Sequence, residues 1–132
     1  MLTEEQIIEG LEAGKDAFLG TSYAPDPSNG CCWAATGIAS YYSPWAANEH
    51  RNQVFYVPTL VQHARQAGLL EDFDGTFERG DILVFGDDDH VVVAYGGNSY
   101  IGNSSSRGMV VIGNDFNYMG IPLTKIVKTS HA

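Results

Sequence analysis

Basic residues are scarce in this chain. Seven Lys and Arg stand against sixteen Asp and Glu in 132 residues, a formal net charge of −9. Such a surface has no clustered cations to meet nucleic-acid phosphates and none to draw it to anionic lipid. Long apolar runs are missing too. No stretch of about 18 consecutive apolar residues occurs, so neither nucleic acid nor a membrane is an expected partner. Residues 1–15 lack the basic start and apolar run of a secretory signal, and carry Glu4, Glu5, Glu9 and Glu12 instead. The expectation is a protein made in the cytoplasm without a general export signal, so that action outside would need release or injection. Cysteine is nearly absent: Cys31 and Cys32 are the two, and they are adjacent. A disulfide between neighbours closes a strained ring and ties no distant segments together. Zinc sites space their cysteines further apart and add a second ligand pair, which this chain lacks. No metal or other cofactor is expected. What remains is a pair of inert buried thiols or a reactive one.

What is present is enough apolar material, 44% of residues, for one core and one domain over 1–132. The spacing predicts a helix over 3–19, opened by a capping box of Thr3 and Gln6, with Ile7, Leu11, Phe18 and Leu19 on one face and Gly20 as its stop. Pro25, Pro27, Ser28, Asn29 and Gly30 mark a loop. A second, more buried helix is predicted over 31–42, with Ala34, Ala35, Ile38 and Tyr42 inward and Ser43-Pro44 as its end. A third is predicted over 58–67, begun by Pro58 and ended by Gly68. After Gly75 the pattern turns to short strands, at 82–85, 91–95, 100–101, 109–112 and 125–128, separated by Gly, Asn and Asp. Helices followed by an antiparallel meander make an α+β fold. No internal repeat, linker or low-complexity tract is present.

Cys31 follows the loop and opens the second helix. The first helical turn has unpaired N–H groups and partial positive charge, which favour thiolate over thiol and can hold an oxyanion. His90 sits between Asp87-Asp88-Asp89 and a β-branched strand, where an imidazole can be held rigidly yet face a cleft. It could take the thiol proton and return it to a leaving amine. His50, His63 and His131 are weaker candidates: His63 is alone inside a helix and His131 lies in a tail expected to fray. The aspartate run reads as a solvated turn, since no alternating-oxygen loop with Gly surrounds it for calcium.

Four segments together resemble a known family. Leu19-Gly20-Thr21-Ser22-Tyr23, then Gly30-Cys31-Cys32-Trp33-Ala34-Ala35, resembles the Leu-Gly-Thr-Pro-Tyr and Asp-Cys-Ser-Gly-Phe-Val of the NlpC-type cell-wall peptidases. Arg79-Gly80-Asp81-Ile82-Leu83-Val84-Phe85 is similar to Pro-Gly-Asp-Leu-Val-Phe-Phe. His90-Val91-Val92-Val93-Ala94-Tyr95-Gly96 is similar to His-Val-Gly-Ile-Tyr-Leu-Gly. Cys31 to Trp33 also resembles the Cys-x-Trp of the CHAP amidases. Both families share a papain-like core, in which the nucleophile starts a helix packed on an antiparallel sheet that carries the histidine. The apolar residues that follow favour Cys31 as nucleophile through Ala34, Ala35 and Ile38, whereas papain's own Cys-Trp pair would favour Cys32. The family's third catalytic position matches Gly102, which cannot serve. Asn103 is the nearest polar candidate, at the cost of a bulge, and Ser104 is the fallback. Tyr23 matches a family tyrosine near the nucleophile. Trp33 and Asp89 flank the catalytic pair as substrate-facing candidates. Asp81 matches a turn position read as structural. Two departures, the loop 24–29 and Gly30 in place of an acid, fall on the substrate-facing rim.

The resemblance implies a cysteine amidohydrolase that cuts an amide bond in peptidoglycan stem peptides through a thioester, with peptidoglycan or a peptide as substrate. Phage lysins and injected antibacterial amidases share the missing export signal, a setting that implies an immunity or release partner. The alternatives are a thiol amidase or transferase acting on a non-wall amide, and a catalytically silent binding module on the same fold.

Overall fold

Thr3 caps the first helix as its spacing with Gln6 requires: its side chain accepts from the Gln6 N–H at 3.1 Å, and the Gln6 side chain accepts from the Thr3 N–H at 2.9 Å. The computed structural model describes residues 2–117 and 120–132. Four helices come first: α1 (Glu4–Phe18), α2 (Cys31–Ala39), α3 (Pro44–Arg51) and α4 (Val57–Gln66). Strands follow: β1 (Leu70–Asp72), β2 (Ile82–Phe85), β3 (His90–Gly96), β4 (Ser99–Ser104), β5 (Met109–Gly113) and β6 (Leu123–Val127). Among the described residues they form one six-stranded sheet in the order β1-β6-β2-β3-β4-β5. All of its pairings are antiparallel. The meander expected from the turn residues holds for β2 to β5. β6 instead returns to pair with β2, and the short β1 extends the edge beyond it. No described helix is long and apolar enough to cross a membrane.

Strand alternation divides the core in two. Ile82, Val84, Val91, Val93, Ile101, Val110 and Val127 pack with the helices. Leu83, Phe85, Val92, Ala94, Tyr100 and Ile126 form a second cluster, against which Phe73, Phe77, Phe116, Ile121 and Leu123 pack. Both faces of β2 are therefore buried, which is why it reads as a continuous apolar run.

Helix α2 lies deepest, with every residue but Trp33 buried. Close packing needs small partners. A Cβ on Gly14 of α1 would come within 2.7 Å of the Ile38 carbonyl oxygen, and one on Gly10 within 2.6 Å of the Tyr42 Cβ. Several expectations are corrected here. Leu19 lies 46% exposed and forms no part of the inner face of α1. Helix α2 stops at Ala39, before Tyr42. Tyr42 leaves the helix to donate to the Gly80 carbonyl at 2.6 Å. Ser43-Pro44 is a helix start rather than a stop: Ser43 caps α3 by accepting from the Ala46 N–H at 3.1 Å, with Pro44 in the first turn.

The C-terminus is tied down, not frayed. Ser43 and the Trp45 N–H both donate to the Ala132 oxygen, at 2.8 and 3.1 Å. His131 meets Glu78 at 2.9 Å. Asp81, wholly buried, accepts from Lys128 at 2.7 Å and from Ser130 at 2.5 Å. Burial opposes charge on Lys128, yet Asp81 and Glu78 hold its ammonium above its usual range. His63 is not alone either: its Nδ1 lies 2.7 Å from the buried Glu49 carboxylate. Removing one partner of a buried charge pair leaves the other uncompensated, so Asp81→Ala should destabilise the fold by about 3–5 kcal/mol in urea denaturation. A loss below about 1 kcal/mol, the scale of an exposed pair, would show that Asp81 holds nothing together.

Candidate active site

The segment before α2 is pinned at several points. The Gly20 N–H donates to the Val110 carbonyl and the Val110 N–H to that of Thr21, both at 2.9 Å. Ser22 Oγ donates to the Gly108 carbonyl at 2.6 Å. Asp26 caps a short 3-10 turn, Pro27–Asn29, through the Ser28 N–H and Oγ. Gly30 then precedes α2 and supplies no side-chain cap. A Cβ there would lie 2.5 Å from the Tyr23 Cβ, so glycine permits this close approach. The first-turn N–H groups of α2 are left without a side-chain acceptor, which makes their end of the helix receptive to negative charge.

Cys31 occupies the first position of α2 with 9% of its surface exposed, and Cys32 the second with none. Neither is in a disulfide. The Cys32 thiol, the His90 side chain and the Val91 N–H all act on the Cys31 sulfur in favour of its thiolate. Together with the charge of His90 they outweigh burial and bring the Cys31 thiol down to about 4, while Cys32 is pushed up by its neighbour and by burial. His90 is the first residue of β3, pairs with Phe85 of β2, and is buried with its ring 6.3 Å from that of Phe85.

Asn103 is 1% exposed on β4. Its Nδ2 donates to the Pro27 carbonyl at 3.1 Å, which fixes the amide orientation, and its Oδ1 is buried with no hydrogen-bond partner among the described residues. The β3–β4 register runs regularly from Ala94↔Tyr100 through Val93↔Ile101, and its continuation sets Asn103 opposite Val91. The β3–β4 register shift lies at the hairpin, between Ala94 and Gly96, so the bulge expected beside Asn103 is not found in this pairing. Ser104 is engaged elsewhere, with Ser106 Oγ at 3.2 Å and the Arg107 N–H at 3.3 Å.

Cys31 opens onto a cleft of about 340 Å³. Asn29, Phe55, Tyr56, Val57 and Pro58 line it together with Asp87, Asp88 and Asp89. Of the acids, Asp89 accepts from the Asp87 N–H at 3.0 Å and Asp88 pairs with Lys125 at 2.8 Å. Tyr23 and Trp33 stand behind this lining. Tyr23 packs on Trp33 and Phe55 with ring centroids 5.6 and 5.8 Å away, and Trp33 packs on Phe18 at 5.0 Å. Phe55 and Tyr56 escaped the sequence reading because they belong to no motif; their adjacency just before Pro58 was the available signal. Among the described residues, no group of three or more His, Cys, Asp or Glu is placed to hold a metal ion.

No protein-family model and no curated protein matches the chain. Solved structures do. The P60 domain of an antigen from M. avium subspecies paratuberculosis superposes with a TM-score of 0.54 at 16% identity, covering 95% of this chain and 96% of that one. The chain has the fold of a P60 domain. The peptidoglycan hydrolase RipB from Mycobacterium tuberculosis shares it, with a TM-score of 0.53 at 14% identity over 95% of this chain and 65% of RipB. The α+β P60 fold bears out the architecture implied by the NlpC-type motifs.

In this P60 fold, a thiol held down near 4 is ionised throughout the neutral range. Iodoacetamide should therefore alkylate Cys31 at a rate that is flat from pH 8 to 6 and half-maximal near pH 4, whereas a free thiol has its midpoint near 8.5. His90→Ala removes a side chain and a charge that both favour thiolate, so the midpoint should rise. An unchanged midpoint in that variant would show that the imidazole does not act on the sulfur.

Proposed function

We propose that this chain is a cysteine amidohydrolase that cuts an amide bond of peptidoglycan stem peptides. What carries the reading is Cys31 at the head of α2, open to the cleft, with the side chain and charge of His90 favouring its ionisation. The substrate class draws support from RipB, which shares the fold and is named a peptidoglycan hydrolase.

The chemistry follows from the groups in place. The Cys31 thiolate attacks the scissile carbonyl carbon, and the oxygen gains charge beside the N–H groups that open α2. As the C–N bond breaks, the protonated His90 ring gives its proton to the departing amine, leaving a thioester on Cys31. Neutral His90 then takes a proton from water, the hydroxide adds to the thioester carbonyl, and the C–S bond breaks to release the acid and restore the thiolate. Asn103 is proposed as the third catalytic group: Pro27 holds its amide nitrogen, and its Oδ1, which has no partner among the described residues, would accept an imidazole N–H when the ring turns toward it during turnover. Asp89, Phe55 and Tyr56 would face the substrate, while Tyr23, itself packed on Trp33, braces Phe55 from behind. Access to wall material by release or injection belongs to the same proposal.

Purified sacculi digested with the protein should yield new amine and carboxyl ends in the stem peptides by mass spectrometry. Cys31→Ala should lower that turnover by about a thousandfold or more while leaving the circular dichroism unchanged. Wall digestion that persists in Cys31→Ala would end the assignment, and cleavage confined to small amides would move the substrate away from the wall.

A further inference from the structure

We propose that His50 is a positioning residue, which holds the Phe55 wall of the Cys31 cleft in place and thereby governs how tightly substrate binds. The proposal rests on Cys31 being the nucleophile of an amidohydrolase, and extends that reading to a residue that does not line the cleft. Five rings close a circuit beside the head of α2. Phe18 meets Trp33 with centroids 5.0 Å apart, Trp33 meets Tyr23 at 5.6 Å, and Tyr23 meets Phe55 at 5.8 Å. Phe55 meets His50 at 5.4 Å, and His50 returns to Phe18 at 6.1 Å. Phe55 is the member that lines the cleft.

Phe55 belongs to the connection between α3 and α4, not to a helix or strand, so the rings on either side set where it stands. Tyr23 is itself in a connection, between α1 and the 3-10 turn. His50 is better anchored. It ends α3 and is fastened to α2 through Thr36. Thr36 Oγ1 donates its one proton to the Cys32 carbonyl at 2.6 Å, so toward His50 it can only accept, and the Nδ1 at 3.0 Å carries the proton between them. Burial pushes the imidazole below its usual range, so at neutral pH an uncharged ring faces Phe55 and Phe18. Gly37 leaves room for that ring against α2: a Cβ there would lie 3.0 Å from His50 Cε1. A path of packed and hydrogen-bonded groups thus runs from the helix that Cys31 opens, through Thr36 and His50, to a face that substrate meets. Since His50 does not line the cleft, its effect falls on binding and not on the bond-breaking step.

The test is steady-state kinetics on a soluble stem peptide, in wild type, His50→Ala, His50→Asn, His50→Phe, Phe55→Ala and the double variant of His50→Ala with Phe55→Ala. His50→Ala should raise KM about tenfold and change kcat by less than about twofold. Asparagine keeps an N–H for Thr36 but no ring, so it should behave like alanine. Phenylalanine keeps the ring and should restore most of the KM. Phe55→Ala should raise KM at least as far, and adding His50→Ala to it should change KM no further, because His50 acts through Phe55. An unchanged KM in folded His50→Ala, a fall in kcat larger than the rise in KM, rescue by asparagine in place of phenylalanine, or additive effects in the double variant each overturns the proposal. Should the alanine variants not fold, equal KM values for asparagine and phenylalanine overturn it instead. Failure of the proposed activity looks different: the wild type would leave the stem peptide intact. The wall is then read from the rate of Cys31 labelling by iodoacetanilide relative to iodoacetamide, since the aromatic reagent packs on Phe55. His50→Ala should lower that ratio about threefold, and a constant ratio overturns the proposal.

Discussion

The site depends on how closely α2 can lie against the sheet. Ala34, Ala35, Gly37 and Ala39 keep that helix thin, and all four are buried. A Cβ on Gly37 would collide with the Phe18 ring, so even one added carbon has no room on that side. This close packing brings the head of the helix level with the start of β3, where His90 and the Val91 N–H favour ionisation of the Cys31 sulfur. Larger side chains along α2 would move helix and sheet apart by more than the reach of a hydrogen bond. The meeting of Cys31 and His90 is in this sense a product of core packing, and the core carries no chemistry of its own.

Around this contact the molecule is braced by polar groups from distant parts of the chain. Asp81, Lys128, Ser130 and the Ala132 oxygen tie the C-terminal segment to the start of β2 and to α3. On the other side, the Pro27 carbonyl is held by Asn103 and Ser22 by the Gly108 carbonyl, so the segment leading to Cys31 is fastened to the β4–β5 hairpin. The site is thereby built on a helix head and a strand start, the rigid parts of a fold, with the turns serving as walls.

Local signals were read well from the residues alone. The capping box, the buried helix opened by Cys31, and the strand begun by His90 follow from spacing and end residues, and each is present. Signals with two meanings were read less well. Ser-Pro can follow one helix or cap the next, and only the packing of Tyr42 away from α2 settles which. Partners far apart in sequence left no local mark: His63 with Glu49, His131 with Glu78, and β6 with β2. For the same reason the wall made by Phe55 and Tyr56 was invisible, while Tyr23 and Trp33, conspicuous near Cys31 in the sequence, stand one layer back. Asn103 was legible as a polar residue in the right region; its fixed amide and buried Oδ1 required the fold.

The central claim is that the Cys31 sulfur, and not its neighbour, carries the acyl group. Acid quenching during turnover of a stem peptide, followed by intact mass and peptide mapping, reads this directly. The expected result is an acyl adduct on Cys31 that hydroxylamine removes. An adduct on Cys32, or hydrolysis with no adduct on either sulfur under conditions that trap a stable acyl-enzyme, would contradict it.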